Sequence, residues 1–219
     1  WIGNAALVGF TDGDSTGDDD IYVTSLDPFT CQRCEGFDFF VDGGTTANNF
    51  VALASQFSGG GSGRDVMIVW DVEDLSTLDS TIEGRVFRSD AGLVTDLGGG
   101  CGEGGDAFAT CARIGNAGFE HRVRGATASA TAYLVLSFGR VDAACGPCTF
   151  VPSPFAPSFV FPVTTDTDGN AAVTTGIPSS ANLDGLTFFD QWLVTPSGAA
   201  LCSPLGTDLS NALRVTIQN

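Results

Sequence analysis

The chain has 219 residues, 43% of them apolar, enough for one large β domain or two ordinary ones with a real core. It sets 26 acidic against nine basic residues, for a formal charge of −17, and every basic residue is arginine. A surface this acidic repels phosphate backbones and anionic headgroups, which excludes nucleic acid and acidic membranes as partners. Without lysine there is no Schiff-base, P-loop or Lys–Asn isopeptide chemistry.

Glycine (29) and phenylalanine (17) are abundant and methionine occurs once, the composition of sandwiches, barrels and propellers. No run of about 18 apolar residues exists, so no membrane span is expected. Trp1 is expected to follow a cleaved signal peptide, which places the protein outside the cell or on its surface.

Strands are expected over residues 6–10, 21–24, 37–41, 50–53, 66–70 and 82–87. Only residues 72–80 (VEDLSTLDS) read as a short helix or loop. The glycine run 98–100 suggests a boundary between a repeat-like β domain (1–98), propeller-like or sandwich-like, and a β-sandwich domain (99–219). In the second part, residues 119–123 and 213–217 alternate apolar and polar with period two, and 133–138 is a nearly continuous apolar run. Residues 159–164 and 172–175 flank Asp168-Gly169, a hairpin signal, and 186–194 (LTFFDQWLV) is a further strand. No stretch has a sustained helical period, so the expected class is all-β.

A faint repeat relates residues 6–23 to residues 67–86 at roughly 60 residues' spacing, in reach of a propeller blade with an insertion. Residues 37–93 (FDFFVDGG…VMIVWD…IEGRVFRSDAGL) resemble the tandem repeats of bacterial secreted surface proteins. Those repeats carry a V-V-W-like strand end, an acidic loop and an I-x-G-R-like strand; the SDAG at 89–92 departs from their usual turn. Residues 114–217 resemble a C-terminal β-sandwich module of secreted bacterial proteins, through IGNAGFEHRVRGA, AYLVLSFG, TTDTDGNAAV, IPSSANLDGLTFFDQWLV and LSNALRVTI. These resemblances imply export and use at the cell surface, and no catalytic residues.

Seven cysteines lie at 31, 34, 101, 111, 145, 148 and 202, and in an exported chain they are expected to be oxidised. Local pairing gives Cys31–Cys34, Cys101–Cys111 and Cys145–Cys148, leaving Cys202 free for a bond to another subunit. Two CxxC pairs also have the ligand count of a zinc site. Cys145-Gly-Pro-Cys148 copies a redox tetrapeptide, but its strand-like setting with Pro152 and Pro154 following lacks the helix N-terminus that activates such a thiol.

The acidic loop carrying Asp12, Asp14, Asp18, Asp19 and Asp20 offers five carboxylates to calcium, which takes about six to eight oxygens, and equally suits a solvated loop. It is not an EF-hand, because Val23 stands where a bidentate glutamate is required. Calcium is therefore the one cofactor the sequence raises. His121, the single histidine, falls on the same strand face as Phe119 and Val123 and reads as a hydrogen-bonded, half-buried residue; no nucleophile motif joins it into a triad. Asp71, Glu73, Glu83 and Glu120 could pair for glycoside hydrolysis, as acids in so acidic a chain always can.

Three functions follow. The first is a non-enzymatic structural or adhesive surface protein that self-associates into an oligomer or filament. Here Asn4, Ala5, Ala6, Leu7, Val8, Gly9 and Phe10 would donate a strand to a neighbour's sheet and Cys202 would add a covalent link. The second is a secreted carbohydrate- or calcium-binding module, with Trp70 or Trp192 as a glycan platform. The third is a secreted hydrolase.

Overall fold

A computed structural model describes residues 6–13, 19–26, 39–42, 47–55, 65–74, 77, 79–88 and 92–218. The chain is all-β, with one short 3-10 turn (Ala181–Leu183) among the described residues. It divides into two units, Trp1–Ala91 and Gly92–Asn219.

The first unit contains two three-stranded antiparallel sheets. One is formed by β1 (Ala6–Gly13), β2 (Asp19–Leu26) and β3 (Phe39–Asp42), in that order. The other is formed by β4 (Ala47–Ser55), β5 (Asp65–Asp74) and β6 (Asp79–Arg88). The two copies of the faint repeat thus become the β1–β2 and β5–β6 hairpins. Residues 72–80, expected as a helix or loop, instead carry the end of β5 and the start of β6, with Asp74 paired to Asp79. Period-two burial is visible on β2, where Ile21 and Val23 are buried, and on β5, where Ile68 and Trp70 are.

The second unit is a sandwich. Its strands are β7 (Leu93–Gly98), β8 (Asp106–Ala109), β9 (Glu120–Arg124), β10 (Thr131–Ser137), β11 (Arg140–Cys145), β12 (Cys148–Pro152), β13 (Ser158–Thr164), β14 (Ala171–Thr174), β15 (Thr187–Val194), β16 (Asp208–Leu209) and β17 (Ala212–Thr216). The large sheet runs β13-β10-β15-β17-β7, with β16 paired to β15, and the small sheet runs β14-β9-β8. Ala132, Leu134 and Leu136 of β10, Phe188, Trp192 and Val194 of β15, and Leu213 and Val215 of β17 meet Ala107, Ala109 and Val123 of the small sheet in one core. Leu134 sits directly opposite Trp192 in the register, at the centre of that core.

The β11–β12 hairpin forms a third layer over the outer face of β15. Gln191 fixes it: its Oε1 accepts from the Val151 N–H (3.0 Å), and its Nε2 donates to the Thr149 carbonyl (3.0 Å) and the Ser210 carbonyl (2.8 Å). The amide is fully buried, so every one of these bonds is made in a setting where an unmade one is costly.

Two sequence expectations change. The glycine run 98–100 is not a linker. The unit boundary falls ahead of it because β7 pairs with β17, and Gly100 passes so close to Ser210 and Asn211 that a Cβ there would lie 2.6 Å from the Asn211 nitrogen. The Asp168-Gly169 turn forms, with Gly169 at φ 78°, but it does not close a hairpin. β13 pairs with β10 in the large sheet and β14 with β9 in the small one, so the turn carries the chain across the sandwich. Turn chemistry fixed the reversal; burial of Ala171 and Val173 against the core chose the partner.

Replacing Gln191 by leucine keeps the volume and strands the Val151 N–H and two carbonyls. Urea denaturation of Q191L is expected to show a loss of at least about 2 kcal/mol; an unchanged midpoint would mean that the hairpin is held by other contacts.

Candidate functional site

β9 carries His121 inward from the small sheet, and β15 carries Asp190 inward from the large one. Both are fully buried, and His121 Nδ1 lies 2.6 Å from Asp190 Oδ2, a hydrogen bond that crosses the core. On the other side of the ring, Nε2 lies 3.3 Å from the Thr175 hydroxyl. Asp190 Oδ1 has no partner among the described residues. The histidine ring stands edge-on to Phe119 (centroids 4.9 Å apart) and lies near Phe188 (5.8 Å), and Phe138 packs on Phe188 from the far side (6.3 Å).

The rings of Phe119, Phe138 and Phe188 line a pocket of about 280 Å³, with Leu136, Phe159 and Phe161 completing much of its wall. Thr175 brings its hydroxyl to the lining; no charged side chain contributes. The pocket-side N–H groups are already committed: Thr175 and Gly176 donate to the Phe119 carbonyl, and Ile177 to that of Asn116. The row Thr175–His121–Asp190 has the order of a nucleophile, base and orienter. Without free donors where an oxyanion would form, the arrangement suits holding an apolar group better than acyl transfer.

The cysteines pair across distance, not locally. Cys101 bonds Cys148 and Cys145 bonds Cys202, with Cα separations of 5.3 and 4.9 Å. Cys111 is disulfide-bonded as well, so the expected Cys101–Cys111 pair does not form. Cys145 and Cys148 face each other across the two-residue hairpin turn, yet each reaches out to a different loop. Cys202 is therefore no free thiol for a neighbouring subunit: it is buried and bonded within the chain. Bonded cysteines also leave Cys145 and Cys148 no thiolates for zinc or redox work. Cys31 and Cys34 lie outside the described residues.

Asp208 ties the same region, accepting the Glu103 N–H (2.8 Å) and the Leu201 N–H (2.7 Å). The Glu103 carboxyl in turn accepts from the Ser197 N–H (2.9 Å), the Ser197 hydroxyl (2.8 Å) and the Thr127 hydroxyl (2.8 Å). The Ser197 backbone donor, then the Thr127 hydroxyl and the Ser197 hydroxyl, hold Glu103 below the ordinary glutamate range. Asp166 is held below the ordinary aspartate range, first by the Asn170 N–H, in the turn between β13 and β14.

Of the proposed strand donor, Ala6, Leu7, Val8, Gly9 and Phe10 are already paired in β1, against residues 22–26 of β2; Asn4 and Ala5 lie outside the described residues. Of the acidic loop, Asp12 opposes Asp20 and Gly13 opposes Asp19 at the loop end of that hairpin, while Asp14 and Asp18 lie outside the described residues. Among the described residues no three acidic, histidine or cysteine side chains converge as a metal site. Trp70 and Trp192 are buried, at 4% and 0% exposure, and offer no platform for a sugar. Glu120 is engaged by Arg122 and by the Thr174 hydroxyl.

The sequence reading missed Asp190, Gln191 and Thr175. The signal was present: Asp-Gln in the middle of LTFFDQWLV places two polar side chains where burial demands partners. A second signal was charge-free length, since residues 143–165 carry no ionisable acid or base in a chain of charge −17. Compared with protein-family models, with curated proteins and with solved structures, the chain matches none.

Two outcomes check this account. Asp190→Ala leaves His121 buried without its partner and is expected to cost about 3–5 kcal/mol in urea denaturation, whereas the double variant H121L/D190L should recover most of that loss. A double variant as unstable as the single one would show that the pair does more than satisfy itself. For Glu103, a folded-state value below the unfolded one means that its contribution is complete above the ordinary glutamate range, about pH 4.3. That contribution is lost as the pH falls through the lower folded value. Thermal melts of E103Q should therefore show a shallower fall with acidification than wild type, and parallel curves would contradict the assignment.

Proposed function

We propose that the chain is a non-enzymatic structural or adhesive protein of the cell exterior that works by self-association. The observation that carries this reading is the uncharged edge of the second unit. β13 ends the large sheet, pairs only with β10, and exposes Phe159 (53%) and Val160 (57%), with Phe155 beside it almost wholly in solvent (91%). Exposed aromatics on an open sheet edge are an association surface unless something blunts them. Association through acidic surface would work against the repulsion of a −17 chain.

The chemistry around His121 supports a binding role over a catalytic one, because the pocket offers a hydroxyl and no free donors. The two disulfides fit a secreted or extracellular protein, and no helix among the described residues is long and apolar enough to cross a membrane. Strand donation by the N-terminus fits less well than edge association, since β1 is already paired within its own hairpin.

Sedimentation velocity and negative-stain microscopy of the full oxidised chain test the reading. Mass should rise with protein concentration, and more steeply at high salt, where charge repulsion between copies is screened. A chain that stays monomeric up to millimolar concentration at both salt levels is not a self-associating subunit.

A further inference from the structure

The face that carries the pocket also carries something of the right size to fill one. Phe155 sits on the loop between β12 and β13 with its ring 91% exposed, the most exposed large apolar side chain among the described residues. The loop is stiff. Pro152, Pro154 and Pro157 fix its backbone, the Phe155 N–H donates to the Ser153 hydroxyl (3.2 Å), and the Phe138 N–H donates to the Pro157 carbonyl (3.1 Å). A ring presented this way has already lost most of the freedom that binding would otherwise cost it.

The loop is anchored at Phe138 and Gly139, and Phe138 forms the pocket's rim, 40% exposed, together with Phe159. Projecting ring and pocket therefore share one end of the sandwich. An apolar cavity of about 150 Å³ accepts a benzene ring, so one of about 280 Å³ takes an aromatic side chain with room for its flanking residues. Segment 143–165 and the pocket lining carry no charge, and the exposed acid nearest the lining in sequence is Asp184, between Leu183 and Leu186.

We propose that the pocket of one copy receives Phe155 of a second copy, and that the second copy's pocket receives Phe155 of the first. Closing both contacts about a two-fold axis gives an isologous interface. Thr175 at the lining pairs its hydroxyl with His121 Nε2 (3.3 Å), so the one polar side chain of the lining is already engaged. The proposal rests on the self-association reading and names the face that performs it.

Sedimentation equilibrium on three full-length chains decides it: wild type, Phe155→Ser and Phe159→Glu, the last placing a charge on the rim. Both substituted residues are exposed, and melts of each variant confirm that it folds. Each variant alone is expected to lose about tenfold or more in association constant. Mixed one to one, they should regain part of it, because the intact Phe155 of the F159E chain finds the intact pocket of the F155S chain. No recovery on mixing overturns the reciprocal contact, as does either variant associating like wild type. If wild type associates while F155S is unaffected, the pocket is not the interface and self-association stands on another face. If wild type is monomeric throughout, both readings fall. A small apolar molecule that raises the melting temperature of both wild type and F155S to the same extent, with no change in mass, would give the pocket to a ligand instead.

Discussion

The sandwich depends on one buried polar contact, the hydrogen bond from His121 to Asp190. It joins the small sheet to the large sheet by chemistry as well as by packing, inside the core, while Asn211, just before β17, ties Ala107 of the small sheet from the side. A buried pair of this kind contributes little net stability, because desolvating the two groups offsets much of what their attraction returns. Its effect is on register. Apolar layers can slide by a residue pair at modest cost, but a slide here would leave a carboxyl and an imidazole unpaired in a dry core. The contact holds β9 opposite β15 in one alignment, and Phe119 and Phe188 are fixed beside the ring.

The pocket follows from that alignment. Its walls come from both sheets and from the segment after β14, and they meet at the open end of the sandwich, where no strand closes the gap. On the opposite face of β15, Gln191 does for the β11–β12 hairpin what Asp190 does for the small sheet, and adjacent residues of one strand serve two interfaces. The disulfides and Asp208 then gather the loops around Cys101, Cys145, Cys148 and Cys202 beside Leu209.

The all-β class and most strands were legible because alternation is a local signal. Residues 133–138, 186–194 and 213–217 each became β10, β15 and β17 within a residue or two. β7, β8, β11, β12 and β16 were not named: β7 and β8 lie among glycines, β12 is bounded by Gly146-Pro147 and Pro152, β16 has two residues, and β11 is exposed along nearly its whole length, so it has no buried face to write a period into the sequence. His121 was legible as a hydrogen-bonded, half-buried histidine and is fully buried; its partner was not legible, because Asp190 lies 69 residues away and pairing at that range leaves no spacing rule. The same limit explains the cysteines. Proximity in sequence favours Cys145 with Cys148, whereas the turn between them is a β-hairpin whose flanking side chains are both drawn to other loops. The proposed association face was written as an absence of charge, which a search for reactive groups passes over.

The disulfide pattern has a temporal meaning. The two bonds interlace, since Cys145 lies within the span closed by Cys101 and Cys148 while its own partner, Cys202, lies beyond that span. Cys202 is the last of the four along the chain, and the nearest neighbours, Cys145 and Cys148, are not partners. Proximity along the chain therefore does not settle the cross-links; they are complete only once the last strands are in place, and forming them calls for exchange as well as oxidation.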